Sequence, residues 1–156
     1  MSSLRHPIAA ALVVTALLLG STSCDKQSPK RGPVIVFGDS LAWQSRDYLK
    51  FLGEANGLPI EVKAAGGTAA CDWVGSIRTA LAAPVKPRLI VLEFWGNNLT
   101  PCMGASKAQP TGYPLGSKTY LAKYRESLNA IRSAASNAGV PVVWAASPPR
   151  HYADAD

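Results

Sequence analysis

A chain of 156 residues has room for one domain, and its 47% hydrophobic and 17% charged residues make an ordinary globular composition, which excludes a multidomain, disordered or collagen-like protein. The 16 Lys+Arg against 10 Asp+Glu give a formal charge of +6, but the basic residues are scattered and the longest basic run is Lys30-Arg31. Nucleic-acid binding needs a clustered patch or stripe, so that class is excluded too.

The chain opens with Arg5 and His6, an apolar run from Ile8 to Leu19, and the small residues Gly20-Ser21-Thr22-Ser23. This is the outline of a secretory signal peptide, and the run falls short of the roughly 20 residues a membrane span needs. Residues 1–23 are therefore read as a leader and the protein as exported, to the cell envelope or beyond. Cys24 stands where a lipoprotein signal places its lipidated cysteine, although Ser21 takes the position of the usual Leu; lipid anchoring at Cys24 and simple cleavage nearby both stay open. The polar stretch 24–33 is then a tether, and 34–156 the folded domain. With Cys24 set aside, Cys71 and Cys102 form an even pair that reads as a disulfide in an oxidising compartment, and their spacing fits no zinc pattern.

Four apolar runs follow, Val34 to Phe37, Ile60 to Ala64, Leu89 to Phe94 and Val140 to Ala146, separated by longer segments of helical character. Such alternation predicts an α/β protein with a parallel sheet buried between helices. The first helix is expected from Leu41 to Ala55 and a shorter one from Asp72 to Ala82. A third is expected from Ser117 to Asn137, with Leu121, Tyr124, Leu128, Ile131 and Ala135 along the face that packs on the sheet. Gly139 should cap it and Pro141 prevents its continuation. Thr100 to Gly116, rich in Pro and Gly, is a loop long enough to carry function.

In an open parallel sheet the ligand crevice lies beyond the carboxyl ends of the strands. The first strand ends in Gly38-Asp39-Ser40-Leu41, the second in Gly66-Gly67-Thr68 and the third in Gly96-Asn97-Asn98, so glycines and hydrogen-bonding groups gather on one edge. Attack on an ester carbonyl needs a serine on a tight turn and donors aimed at the oxyanion that forms. Ser40 supplies the nucleophile. Its backbone N–H, that of Gly67 and the side-chain amide of Asn98 supply the donors, with Gly66 an open alternative to Gly67 and Asn97 to Asn98. Asp39 holds the turn, with Gly38 and Gly96 in support, and Trp73 and Trp95 flank the rim.

At these residues the chain resembles the GDSL, or SGNH, hydrolase family. That family's blocks are the Ser of Gly-Asp-Ser-Leu, a Gly after the second strand, an Asn in Gly-x-Asn after the third, and a late Asp-x-x-His. The segment from Gly66 to Trp73 is similar to versions in secreted actinobacterial members and in domains fused to acyltransferases. The resemblance implies a flavodoxin-like three-layer sandwich with strand order 2-1-3-4-5. It also implies hydrolysis or transfer of an acyl group through an acyl-serine, with neither metal nor organic cofactor. The expected partner is a small-molecule or envelope-glycan ester, and the expected state a monomer. Leu99 stands where many members have Asp.

The fourth block is not found. Asp-x-x-His occurs nowhere; His6 lies in the leader, and His151 precedes Asp154 instead of following an Asp by three residues. His151 is read as an exposed loop residue rather than the base, and the catalytic block as lying beyond Asp156, with the last strand and helix. A domain incomplete in this way would be impaired as an enzyme. The alternative is a non-catalytic envelope protein of the same fold that binds a glycan or protein partner.

Overall fold

A computed structural model describes residues 32–146; Cys24, the leader and His151 lie outside that range. The elements are β1 (Val34–Gly38), α1 (Ser40–Ala55), β2 (Ile60–Ala64), α2 (Ala70–Leu81), β3 (Leu89–Glu93), a single 3-10 turn at Pro101–Met103, α3 (Lys118–Ala138) and β4 (Val142–Trp144). The four strands form one sheet in the order β2-β1-β3-β4, all parallel, with Val34 opposite both Ile60 and Leu89 and Ile90 opposite Val142. This is the parallel α/β arrangement that the alternating pattern predicts, in the flavodoxin-like strand order that the resemblance implies.

Handedness decides which helix covers which face. The connection from β1 to β2 runs one way across the sheet and those from β2 to β3 and β3 to β4 run the other, so right-handed crossovers put α1 on one face and α2 with α3 on the opposite one. The side chains sort accordingly. Ile35, Phe37, Ile90, Leu92 and Phe94 pack with Ile77 and Leu81 of α2 and Ile131 and Ala135 of α3 into the main core. The alternate residues Val34 and Val36 are buried as well, which makes β1 the most enclosed strand. On that second face α1 comes close to β2 through Gly53, where a β-carbon would lie 2.5 Å from the Leu58 carbonyl oxygen and 2.8 Å from Ile60 Cγ1.

The helix ends follow local chemistry. Ser117 accepts from the Tyr120 N–H at the start of α3, and Gly139, at φ 68°, ends it in the left-handed conformation. At α2 the carboxylate of Asp72 reaches back to the Ala69 N–H at 2.8 Å. That bond starts the helix at Ala70, two residues ahead of the expected Asp72.

Two expectations need correction. Leu121 is 49% exposed, because the inward face of α3 runs through Tyr124, Ser127, Ile131 and Ala135; a strict sevenfold spacing such as 121, 128, 135 drifts about 20° per repeat from this face. The fourth strand is shorter than Val140 to Ala146 and is an edge of the described sheet, leaving Val143 and Trp144 exposed on it. Among the described residues no helix is long and apolar enough to cross a membrane.

Cys71, in the first turn of α2, and Cys102, in the 3-10 turn, form a disulfide across a sequence separation of 31 residues. A loop of that length predicts that Cys102→Ser lowers stability by about 3–4 kcal/mol in non-reducing urea titrations, a difference that vanishes when the parent is reduced. The glycines predict opposite signs. Gly53→Val should cost about 1–3 kcal/mol by overpacking, whereas Gly75→Ala, in open space within α2, should add about 0.5–1 kcal/mol. The same titrations check both.

Candidate active site

The end of β1 passes directly into α1, so Ser40 is the first residue of a helix and its N–H is one of the groups a helix leaves unpaired. Asp39, just before it, is fully buried, and Gly38 ends the strand. The Asp39 carboxylate accepts from the Leu41 N–H at 3.1 Å through Oδ1, and from the Trp95 N–H at 2.6 Å and the Asn97 side-chain amide at 3.0 Å through Oδ2. Its main chain is held as well, donating to the Glu93 carbonyl at 3.1 Å and accepting from the Trp43 N–H at 3.0 Å. Neither the hydroxyl nor the N–H of Ser40 has a hydrogen-bond partner among the described residues.

The turn after β2 lies beside it, since β2 is the hydrogen-bonded neighbour of β1 and Ala65 donates to the Gly38 carbonyl. Ala65 to Thr68 closes on a Thr68 N–H to Ala65 carbonyl bond, with Gly67 at φ 77°. That sign of φ at the third position is the type II geometry that selects glycine. A β-carbon on Gly66 would lie 3.9 Å from the Ser40 β-carbon, and nothing crowds Gly67. The Thr68 hydroxyl accepts from the Trp73 indole N–H at 2.9 Å, and the Trp73 ring meets Phe37 edge-on. Trp73 therefore serves packing and turn support.

On the other side of β1, the segment after β3 carries two carboxamides with different commitments. The Asn97 amide nitrogen donates to both Asp39 Oδ2 and the Thr68 carbonyl, which accounts for its two hydrogens. It bridges all three strand-end turns. The Asn98 amide nitrogen donates once, to the Tyr113 carbonyl at 2.7 Å, and keeps one hydrogen. Tyr113 belongs to the 100–117 loop, which folds on itself through the fully buried Met103 and the Tyr113 N–H to Met103 carbonyl bond. Gly112 fits under the Asn98 carbonyl with no room for a side chain.

Gly38 and Gly96 leave room for protein atoms, not for a ligand. A β-carbon on Gly38 would strike the Ala42 side chain and the Glu93 carbonyl, and one on Gly96, at φ 98°, the Tyr120 hydroxyl. Tyr120 donates to the Gly96 carbonyl at 2.9 Å. Burial, with Tyr120 and Asp39 nearby, pushes the Tyr124 phenol well above its ordinary range, so it stays protonated.

Sequence reasoning passed over Glu93. It closes an otherwise apolar strand, and its Oε2 accepts from the Ala42 N–H in the first turn of α1 at 2.9 Å. Burial first and the charge of Asp39 second raise its pKa, against a smaller opposite effect from the Ala42 N–H. A lone carboxylate in a strand of Leu, Ile and Val was the available signal. Cys71, Asp72 and Cys102 bring acidic and sulfur groups together near α2, but the two sulfurs are bonded to each other.

No curated protein matches the chain. Among solved structures it is similar to a protein from Bacteroides fragilis NCTC 9343 described as a "putative acylhydrolase", at 14% identity and a TM-score of 0.51, over 81% of this chain and 56% of that one. The chain thus spans little more than half the length of that structure, and the likeness is one of fold. The sequence from residue 33 to 156 matches the family described as "Protein of unknown function (DUF459)", and the chain belongs to that family.

Proposed function

We propose that this protein is an SGNH-type acyl hydrolase or acyltransferase in which Ser40 attacks an ester carbonyl and carries the acyl group. The observation that carries the reading is the set of free donors at three adjacent strand ends. Ser40 offers a hydroxyl and an N–H, the Gly66-Gly67 turn offers N–H groups with no acceptor among the described residues, and Asn98 offers one amide hydrogen. Adjacent strands stand about 4.8 Å apart, so the donors after β2 and after β3 each start one strand spacing from Ser40, within reach of an acyl group bound to it. The likeness of fold to a protein described as an acylhydrolase supports the same class.

The chemistry follows from that set. The Ser40 hydroxyl adds to the carbonyl, and the oxygen that becomes negative is held by the N–H of Ser40, that of Gly67 and the carboxamide of Asn98. Such donors act on charge that exists only at the barrier, which is why each is worth on the order of 3 kcal/mol. Collapse expels the alcohol and leaves an acyl-serine, which water or an acceptor hydroxyl then cleaves. The proton of Ser40 passes to a base and on to the departing alcohol; in the SGNH hydrolases that base is the His of Asp-x-x-His, a block not found in this sequence. Asn97 is the weaker choice of donor because both its hydrogens are spent inside the protein.

The substrate class is an acyl or acetyl ester of a small molecule, lipid or envelope glycan. Export is supported by the Arg5 to Ser23 leader and by the Cys71–Cys102 disulfide, which belongs to an oxidising compartment.

In protein that also carries the Asp-x-x-His block expected beyond Asp156, a fluorophosphonate should label Ser40 and p-nitrophenyl acetate should be hydrolysed, both lost in Ser40→Ala. Asn98→Ala should lower kcat about 10²–10³-fold with little change in KM. Asn97→Ala should instead lower stability by about 1–3 kcal/mol, since it strips a donor from the buried Asp39. Label and turnover persisting in Ser40→Ala would overturn Ser40 as the nucleophile, and their absence from the parent would favour a non-catalytic protein of this fold.

A further inference from the structure

We infer that Glu93 is a positioning residue for Ser40, fixing the first turn of α1 by reaching across the end of β1 to the Ala42 N–H. The inference rests on the acyl-serine reading and concerns what holds its nucleophile in place.

A helix leaves its first N–H groups without partners, and the residue before it usually caps the second or third with a side-chain oxygen. Here Asp39 takes the N–H of Leu41, the second helical residue, through Oδ1, while its Oδ2 is spent on Trp95 and Asn97. The N–H of Ala42, the third, is taken by Glu93 Oε2 from the neighbouring strand. The path for that side chain exists because Gly38 is the residue opposite Glu93 in the β1–β3 register. A β-carbon on Gly38 would lie 3.2 Å from Glu93 Oε2 and collide with the Ala42 side chain.

Ser40 is thus followed by two N–H groups held by carboxylates from different strands, one at the end of β1 and one at the end of β3. With only the Asp39 bonds the turn could pivot about them; the Glu93 bond removes that freedom. Orientation is where an acyl-transfer site is sensitive, because displacement of a reacting group by 1 Å costs about 10²-fold in rate. A carboxylate also suits a helix N-terminus, whose N–H groups carry partial positive charge. That interaction offsets part of the cost of burying the Glu93 carboxyl and of placing it beside Asp39, both of which raise its pKa.

The experiment compares Glu93→Ala, Glu93→Gln and Glu93→Asp in protein that carries the Asp-x-x-His block expected beyond Asp156. It reads kcat and KM on p-nitrophenyl acetate, the rate of fluorophosphonate labelling, and hydrogen exchange at the Ala42 amide. Glu93→Ala should lower kcat and the labelling rate about 10–100-fold with KM nearly unchanged. Exchange at Ala42 should rise roughly tenfold over the rest of α1. Glu93→Gln presents an amide oxygen to the same N–H and should restore most of both. Glu93→Asp keeps the charge but is one methylene too short to make the bond, and should behave like Glu93→Ala. If Glu93→Ala fails to fold, the contrast between Gln and Asp decides. Parental kcat and exchange in Glu93→Ala, or an active Asp variant beside an impaired Gln variant, would overturn the positioning role alone. A parent that neither labels at Ser40 nor turns over would overturn the acyl-serine reading, and this role with it.

Discussion

The arrangement at the sheet edge depends on one buried carboxylate. Asp39 has no solvent exposure, and a charge in such a place is tolerated only when hydrogen bonds replace the water it has lost. Its donors come from two directions, the first turn of α1 and the segment after β3. Asn97 extends the connection to the Thr68 carbonyl beyond β2. Satisfying Asp39 therefore also fixes the ends of three neighbouring strands relative to one another. A shift of any one of these segments would leave part of the charge unpaired, at a cost of several kcal/mol.

The fold was legible because its signals are local and repeated. Val34 to Phe37, and Leu89 to Phe94 apart from Glu93, are too short and too continuously apolar to be helices on a surface, and Gly139 with Pro141 marks the end of α3 without reference to anything distant. Where the reading slipped, a distant contact had intervened. Leu121 fits an apolar stripe on paper, but at the start of the helix it is Tyr120 that reaches the sheet, through the Gly96 carbonyl, and Leu121 stays exposed. The extent of β4 was set by how far β3 can pair with it, which its own apolar run does not encode.

The site divided differently. That Ser40, Gly67 and Asn98 lie at strand ends could be read from residue order, since the edge of a parallel sheet follows from topology alone. Which hydrogen points where could not. Asn97 and Asn98 are chemically identical and adjacent, and only the positions of Asp39, Thr68 and Tyr113 give them separate tasks. The glycines show the same limit: Gly38 and Gly96 look like places for a ligand to approach backbone, and in space they accommodate Ala42, Glu93 and Tyr120. Glu93 itself acts on a residue 51 positions away, a pairing with no trace in local sequence.

The electrostatics explain why such a site would need two asparagines. An oxyanion close to an ionised Asp39 would be repelled by roughly 2 kcal/mol at a separation of about 7 Å and an effective dielectric constant near 20. The protein counters this by surrounding Asp39 with donors, so that much of its charge is balanced before any substrate arrives. Asn97 gives one hydrogen to Asp39 and the other to the Thr68 carbonyl, whereas Asn98, tied by a single bond to the loop, keeps one hydrogen. On the acyl-serine reading a single asparagine would have too few hydrogens, because Asn97 spends both of its own inside the protein and the developing charge would need another.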